Sequence, residues 1–158
     1  MLVSLSFQKS EGSLDKFGTS VSINSDGSII FVGSPGNNSN TGEVNAYEWL
    51  GSSWVPKGSA LTGNQVGDKF GEELELSADG YAITIAAVGA DDNGSNAGQI
   101  INYKWDLFFG WVQVGSPIDG ENAGDFFGYS LDISDDGQVI CAGSYVNNNQ
   151  TGHGRIYE

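Results

Sequence analysis

The chain has 158 residues, enough for one well-packed domain and too few for two. Its 24 glycines and three prolines, with many serines, threonines and asparagines, favour short strands joined by tight turns and argue against long helices. Twenty acidic residues against six basic ones give a formal charge of −14, which repels phosphate backbones and anionic bilayers, so nucleic acid is not an expected partner.

The first ten residues have no basic start, no sustained apolar stretch and no small-residue cleavage site, so the sequence predicts no secretory signal. No segment reaches the length of a membrane helix, and we expect no membrane insertion.

Three segments of the chain resemble one another. They begin at Asp15, Asp68 and Asp125, and each has a Phe-Gly pair two residues later and an Asp-Gly pair nine residues after the phenylalanine. Each Asp-Gly lies between two runs of alternating apolar residues, which predicts a β-hairpin with a type I′ turn and positive φ at both central residues. Each unit therefore opens with a hairpin.

A polar loop follows each hairpin and ends at a glycine, with a tyrosine five residues later that marks a third strand. In the first two units a Trp-Val pair, at Trp54 and Trp111, marks a fourth strand. The phenylalanine spacing grows from 53 to 57 residues, and we assign three of the extra residues to the second-strand region. This alignment makes Gly33, Gly89 and Gly143 equivalent.

The third unit ends at Glu158 without a fourth strand. Each fourth-strand tryptophan lies 16 positions before the phenylalanine of the next Phe-Gly pair, and Met1 lies 16 positions before Phe17. We therefore assign residues 1–8 to the fourth-strand position. We predict one domain over 1–158, with units at about 17–58, 70–115 and 127–158, the last completed by the strand 1–8.

A four-stranded unit of about 50 residues with Phe-Gly at its start resembles the FG-GAP type of β-propeller repeat, as in integrin α chains and in bacterial and marine viral proteins. The Gly-Ala-Pro element is approximated by residues 33–35, 89–91 and 143–145. The resemblance implies an all-β, propeller-like fold of three four-stranded antiparallel blades. Because the family is found on surfaces, it also implies an extracellular or virion location.

Many members of that family bind calcium in Asp-x-Asp-x-Asp-Gly loops. The equivalent loops here, NSDGS, SADGY and SDDGQ, have too few carboxylates for such a site, so we expect no cofactor. Asp91, Asp92 and Asn93 in the following loop are an alternative calcium site.

Catalytic groups are sparse. His153 is the only histidine, and Cys141 is the only cysteine, in an apolar run where a buried, inert thiol is expected. Neither a Cys-His pair nor a multi-histidine metal site is expected from these two residues. Glu72, Glu73 and Glu75 alternate along a strand, which favours a solvated face over a catalytic carboxylate pair. We expect no enzyme.

Aromatic residues are the candidates for binding. Trp49, Trp105, Phe108 and Phe109 lie around the third hairpin turns, where exposed rings suit sugars or a protein partner. Phe108 and Phe109 have no evident core to join, so we expect them to contact another subunit. The other two tryptophans are expected to pack between blades.

Three blades are too few for an ordinary closed ring. We expect a two-fold dimer of six blades, in which residues 1–8 of each chain complete the last blade of the other. A three-bladed monomer closed by its own first strand and a fragment of a longer array are the alternatives. The expected function is a non-enzymatic structural module of a virion or extracellular filament, binding itself or other assembly subunits; the alternative is a glycan- or protein-binding adhesion module.

Overall fold

The structure, a computed structural model, describes residues 14–147 and 151–158. These residues form twelve strands and one helical turn at Asn37–Asn40. The strands make up three antiparallel sheets, which follow one another along the chain and have five, four and three strands. The predicted all-β class is confirmed.

The strands of the first sheet are β1 Val21–Ile23, β2 Ile29–Ser34, β3 Glu43–Trp49, β4 Trp54–Pro56 and β5 Leu61–Thr62. The sheet has the strand order β1–β2–β3–β4, and the short β5 pairs with β3 beyond the end of β4. Each strand is antiparallel to its neighbour.

The strands of the second sheet are β6 Phe70–Leu76, β7 Ala82–Ala87, β8 Gln99–Asp106 and β9 Gly110–Asp119. Those of the third sheet are β10 Ser130–Ile133, β11 Ile140–Ser144 and β12 His153–Tyr157. The second sheet has the order β6–β7–β8–β9 and the third β10–β11–β12. Strand β5 and the end of β9 lie beyond residues 58 and 115, so strand pairing extends past the predicted ends of the first two units.

Strand β12 lies at the edge of the third sheet, and in the described part of the chain its outer side pairs with no strand. The corresponding strands β3 and β8 each pair there with a fourth strand. The fourth strand predicted at residues 1–8 lies outside the described residues.

The Asp-Gly pairs join the first two strands of each sheet, as predicted, but the type I′ assignment is wrong. The glycines at 27, 80 and 137 have φ of 74°, 79° and 67°, whereas the aspartates before them do not have positive φ. Gly27 N–H donates to the Asn24 carbonyl at 3.1 Å, and Asp26 Oδ1 accepts from Ser28 N–H at 2.8 Å. The aspartate therefore serves as a hydrogen-bond acceptor within the turn.

The predicted alignment of the second unit is also wrong by three residues. In the first sheet Ile30 pairs with Tyr47, and in the second sheet the equivalent Ile83 pairs with Tyr103. The two partners are 17 positions apart in the first sheet and 20 positions apart in the second. Strands β2 and β7 are equally long, which places the insertion in the loop after β7. Ala86, not Gly89, is the counterpart of Gly33. Loops absorb insertions because a slip within a strand would turn its side chains to the wrong face.

The sheets pack face to face in chain order. We call the face toward the next sheet the forward face and the face toward the previous sheet the rear face. The first core joins the forward face of sheet one to the rear face of sheet two, through Ile29, Phe31, Val44, Leu74, Ile83 and Ile85. The second core joins sheets two and three, through Ala86, Ile100, Phe127, Ile140 and Ala142.

Candidate functional site

The first and second sheets meet at a junction built on the Phe-Gly pair of the second. Ser20 Oγ donates a hydrogen bond to the Gly71 carbonyl at 2.7 Å. Gly33 lies so close to that carbonyl that a Cβ would overlap the Gly71 oxygen, so glycine suits this position. A parallel backbone bridge between Gly42 and Phe70 extends the junction.

The second and third sheets meet at the equivalent place. The backbone bridge is between Gly98 and Phe127, and Gly128 packs against Ala86 and Ile100. Phe70 and Phe127 are both 0% exposed. The repeated Phe-Gly pairs therefore form the contacts between successive sheets.

The Asp-Gly turns form a hydrogen-bonded ladder across the three sheets. Ser25 N–H donates to the Ala78 carbonyl at 2.9 Å, and Ala78 N–H donates to the Asp135 carbonyl at 3.0 Å. In the described part of the chain, the Asp135 N–H has no acceptor and the Ser25 carbonyl has no donor. The ladder thus ends in a donor on the third sheet and an acceptor on the first.

Two of the recurrent aspartates hold the loops that precede the second and third sheets. Asp68 Oδ2 accepts from Gln65 N–H at 2.8 Å. Asp125 Oδ2 accepts from Asn122 N–H and from Asn147 Nδ2, each at 2.8 Å. These buried carboxylates therefore fix loop geometry next to the junctions.

Both end sheets leave apolar side chains uncovered. On the rear face of the first sheet, Val21 is 69% exposed, whereas its counterpart Leu74 on the second sheet is 1% exposed. On the forward face of the third sheet, Ile156 is 69% exposed, whereas its counterpart Ala46 on the first is 7% exposed. A groove of about 520 Å³ runs over that forward face.

The prediction of a buried Cys141 is wrong, because the thiol is exposed on the same forward face. Ile140 and Ala142 point toward the second sheet, and strand alternation turns the residue between them outward. Phe31, at the equivalent position of the first sheet, is 0% exposed because the second sheet covers it.

A second exposed feature is the turn between β8 and β9. Leu107, Phe108 and Phe109 are 87%, 90% and 82% exposed. Asp106 Oδ1 accepts from Phe108 N–H at 2.7 Å and from Phe109 N–H at 3.0 Å, which fixes the turn. We call these three residues the apolar tip. The structure thus places Phe108 and Phe109 outside any core of the described residues.

The other two predicted binding residues are partly covered. Trp105 is half-buried, edge-on to Trp111 at 5.1 Å between ring centroids, with Lys57 Nζ 4.5 Å above its ring. Trp49 is half-buried against Trp54, at 5.6 Å. Neither tryptophan is a fully open platform.

Trp111 and Lys57 also connect the first two sheets. Trp111 meets Phe31 edge-on at 4.8 Å, and its Nε1 donates to the Lys57 carbonyl at 2.9 Å. The Lys57 ammonium is buried and pairs with Glu48 at 3.1 Å. A buried cation between rings and a carboxylate was not foreseen from the sequence.

The predicted calcium loop is held by its own hydrogen bonds. Asp91 Oδ1 accepts from Asn96 N–H at 2.7 Å, and Asn93 Nδ2 donates to two carbonyls of the turn after β9, at 2.8 and 3.1 Å. Burial raises the pKa of the neighbouring Asp68, and the carboxylates of Asp92 and Asp91 add to this rise. Among the described residues, no three Asp, Glu, His or Cys side chains are grouped to hold a metal ion.

The acidic strand β6 is less solvated than predicted. Glu72, Glu73 and Glu75 are all half-buried. Burial raises the pKa of Glu73, with repulsion from the other two glutamates, and burial raises the pKa of Glu75, with repulsion from Asp132.

The lone His153 accepts a hydrogen bond at Nε2 from Arg155 Nε at 2.8 Å.

Residues 14–147 and 151–158 contain no helix that is long and apolar enough to span a membrane.

No protein-family model matches the chain, and no curated protein matches it significantly. Among solved structures, it is similar to a Bacteroides uniformis protein assigned provisionally as a 6-phosphogluconolactonase, with 12% sequence identity, a TM-score of 0.51, and coverage of 87% of this chain and 40% of that one. It is also similar to Kuenenia stuttgartiensis hydrazine synthase, with 16% identity, a TM-score of 0.49, and coverage of 78% and 29%. The chain thus spans less than half of each. At this identity the first similarity shows a shared fold alone.

Proposed function

We propose that the chain is a non-enzymatic assembly module whose three sheets are blades of a β-propeller that is completed by further copies. The observation that supports this most directly is the repeated junction between successive sheets. Both junctions are built on a Phe-Gly pair. The outer faces of the first and third sheets carry exposed apolar side chains at positions that are buried within the junctions. Exposed apolar faces of this kind mark interaction surfaces.

The third sheet supplies a second argument. Its edge strand β12 offers backbone donors and acceptors where the other two sheets have a fourth strand. An edge of this kind is a template for pairing with another segment. In the proposal, residues 1–8 of one chain pair with β12 of the other, and two chains make a ring of six blades. The FG-GAP resemblance supports the propeller and favours a place on a virion surface or extracellular filament.

The proposal is tested by the solution mass of the full chain and of a chain that lacks residues 1–8, measured by light scattering over a range of concentrations. We expect a dimer for the full chain and a monomer, with β12 uncovered, for the shortened chain. A full chain that stays monomeric at every concentration would refute assembly by self-association.

The alternative function, adhesion to a glycan or a protein, is favoured by the apolar tip. Three large apolar side chains on a hydrogen-bonded turn form a preorganised contact, which costs less ordering entropy on binding than a flexible loop. Aromatic side chains, including phenylalanine, are enriched in the cores of protein interfaces.

Adhesion is tested on glycan arrays and against candidate surface proteins with the double variant Phe108→Ser, Phe109→Ser. A matched control is Val66→Ser, which removes an apolar side chain that is 72% exposed and lies in the loop between β5 and β6. Binding that falls only in the tip variant would support adhesion. Binding that is absent, or equal in both variants, would count against it.

A further inference from the structure

We infer that the forward face of the third sheet binds the rear face of the first sheet of a second copy, through the same contacts that join sheets one and two. The inference rests on the proposed assembly function and names its interface. It predicts a head-to-tail contact, in which two different faces meet, rather than a contact between identical faces.

We call the serine and the glycine that contact the Phe-Gly carbonyl of the next sheet the corner of a sheet, and the corner of the third sheet repeats that of the first. Ser20 and Gly33, which hold the Gly71 carbonyl, have Ser130 and Gly143 as their counterparts, and Gly143 stands beside Ser130 as Gly33 stands beside Ser20. The second sheet has Glu73 and Ala86 at these positions. The first and third sheets therefore share a corner shaped to receive a Phe-Gly carbonyl.

The first sheet carries the group that this corner would receive. Gly18, just before β1, is the counterpart of Gly71 in β6, and both glycines have positive φ, at 92° and 87°. In the contact we infer, Ser130 Oγ donates to the Gly18 carbonyl of the second copy. Gly143 and Gly154 leave room for the backbone of Gly18.

The turn ladder points to the same neighbour. Among the described residues, the Asp135 N–H on the third sheet and the Ser25 carbonyl on the first are the two ends of the ladder without a partner, and they are a donor and an acceptor. Every step already formed runs from the N–H of one sheet to the carbonyl of the next. A second copy placed after the third sheet would add the same step once more.

The apolar residues of the two faces also match. Val21 and Ile23 on the rear face of the first sheet correspond to Leu74 and Leu76, which are buried in the first core. Cys141 and Ile156 on the forward face of the third sheet would lie opposite them. Docking would bury each of these side chains, as it buries their counterparts between sheets one and two.

The test uses two variants of the full chain, Ile156→Arg on the forward face and Val21→Arg on the rear face. Both positions are exposed in the isolated chain, so each variant is expected to fold, which far-ultraviolet circular dichroism checks. Because the arginine would be buried without a partner, each change should weaken self-association at least about a hundredfold. Phe108→Arg is the matched control, since it adds the same charge at another exposed apolar position.

Mixing the two variants gives a sharper result. The forward face of Val21→Arg and the rear face of Ile156→Arg are both intact, so the mixture should associate although neither variant does so alone. An interface between identical faces would not be restored in this way. The reactivity of the Cys141 thiol toward a thiol reagent shows whether the forward face of the third sheet is covered. The thiol should be protected in the associated wild type and reactive in each single variant.

The outcomes separate the interface from the function. If the wild type associates but Ile156→Arg does so equally, with Cys141 reactive throughout, the assembly proposal stands and this interface is wrong. Loss of association in Phe108→Arg alone would assign the contact to the apolar tip instead. A wild type that is monomeric at every concentration would overturn the assembly function itself.

Discussion

Replacing the phenylalanine of each Phe-Gly pair by alanine should lower the stability most at the two junctions between sheets, and less at the first sheet, which has no described sheet before it. Phe70 and Phe127 are 0% exposed, with Tyr103 and Tyr157 edge-on at 6.4 and 6.3 Å, whereas Phe17 is half-buried. Truncating a fully buried phenylalanine costs about 3–5 kcal/mol, from lost transfer energy and the cavity left behind. For a domain of this size that is a fall in Tm of about 10 °C.

We expect this fall for Phe70→Ala and Phe127→Ala, and about half of it for Phe17→Ala, in thermal unfolding followed by circular dichroism at low protein concentration. Chemical denaturation should rank the variants in the same order, with unchanged m-values. Equal losses at all three positions would refute the reasoning, because they would show that Phe17 is as deeply packed as the other two. A loss below about 1 kcal/mol at Phe70 would show that the junction is not a core contact.

Four further outcomes are expected. Lys57→Ala should lower stability by about 2 kcal/mol, measured by urea unfolding, since it removes the ion pair and leaves Glu48, which is partly exposed, without its cation. Glu73→Gln and Glu75→Gln should each raise Tm at pH 7, and the gain should fade as the pH falls through the raised folded-state pKa and be lost below about 4.5, the ordinary pKa of glutamate. The pKa of each carboxyl is raised in the folded protein, so its ionisation disfavours folding above the folded pKa and has no effect when both states are protonated. Calcium at millimolar concentration should leave Tm unchanged relative to a chelator, and a rise of several degrees would establish a bound ion. Self-association should strengthen with added salt, measured by sedimentation, because each copy carries a charge of −14.

Local patterns predicted the strands well because each Asp-Gly turn signal lies between two runs that contain apolar residues. The same patterns mistook the turn type. Asp-Gly suits a type I′ turn, but it also suits a turn in which glycine alone is left-handed and the aspartate accepts hydrogen bonds, as at Asp26 and Gly27. Only the backbone distinguishes the two.

Features that depend on contacts between sheets could not be predicted from one sequence. Cys141 lies in an apolar run that suggested burial, yet its exposure depends on whether a neighbour covers the forward face. Lys57 is buried because rings of the second sheet surround it. The sequence does contain one signal of the contacts between sheets, because Ser20 and Gly33 of the first unit recur as Ser130 and Gly143 of the third.

The middle sheet is the only one of the three described sheets that is packed on both faces, and this gives the molecule a gradient of local stability. Every residue of β7, Ala82–Ala87, is buried, whereas strands β1 and β12 alternate between covered and exposed positions. Opening the middle sheet requires both cores to separate, whereas an end sheet can detach from one neighbour. In stacks that hold together through nearest-neighbour contacts, unfolding starts at the ends. Amide hydrogens of β7 should therefore exchange last, and those of an end sheet should slow down when a second copy covers it.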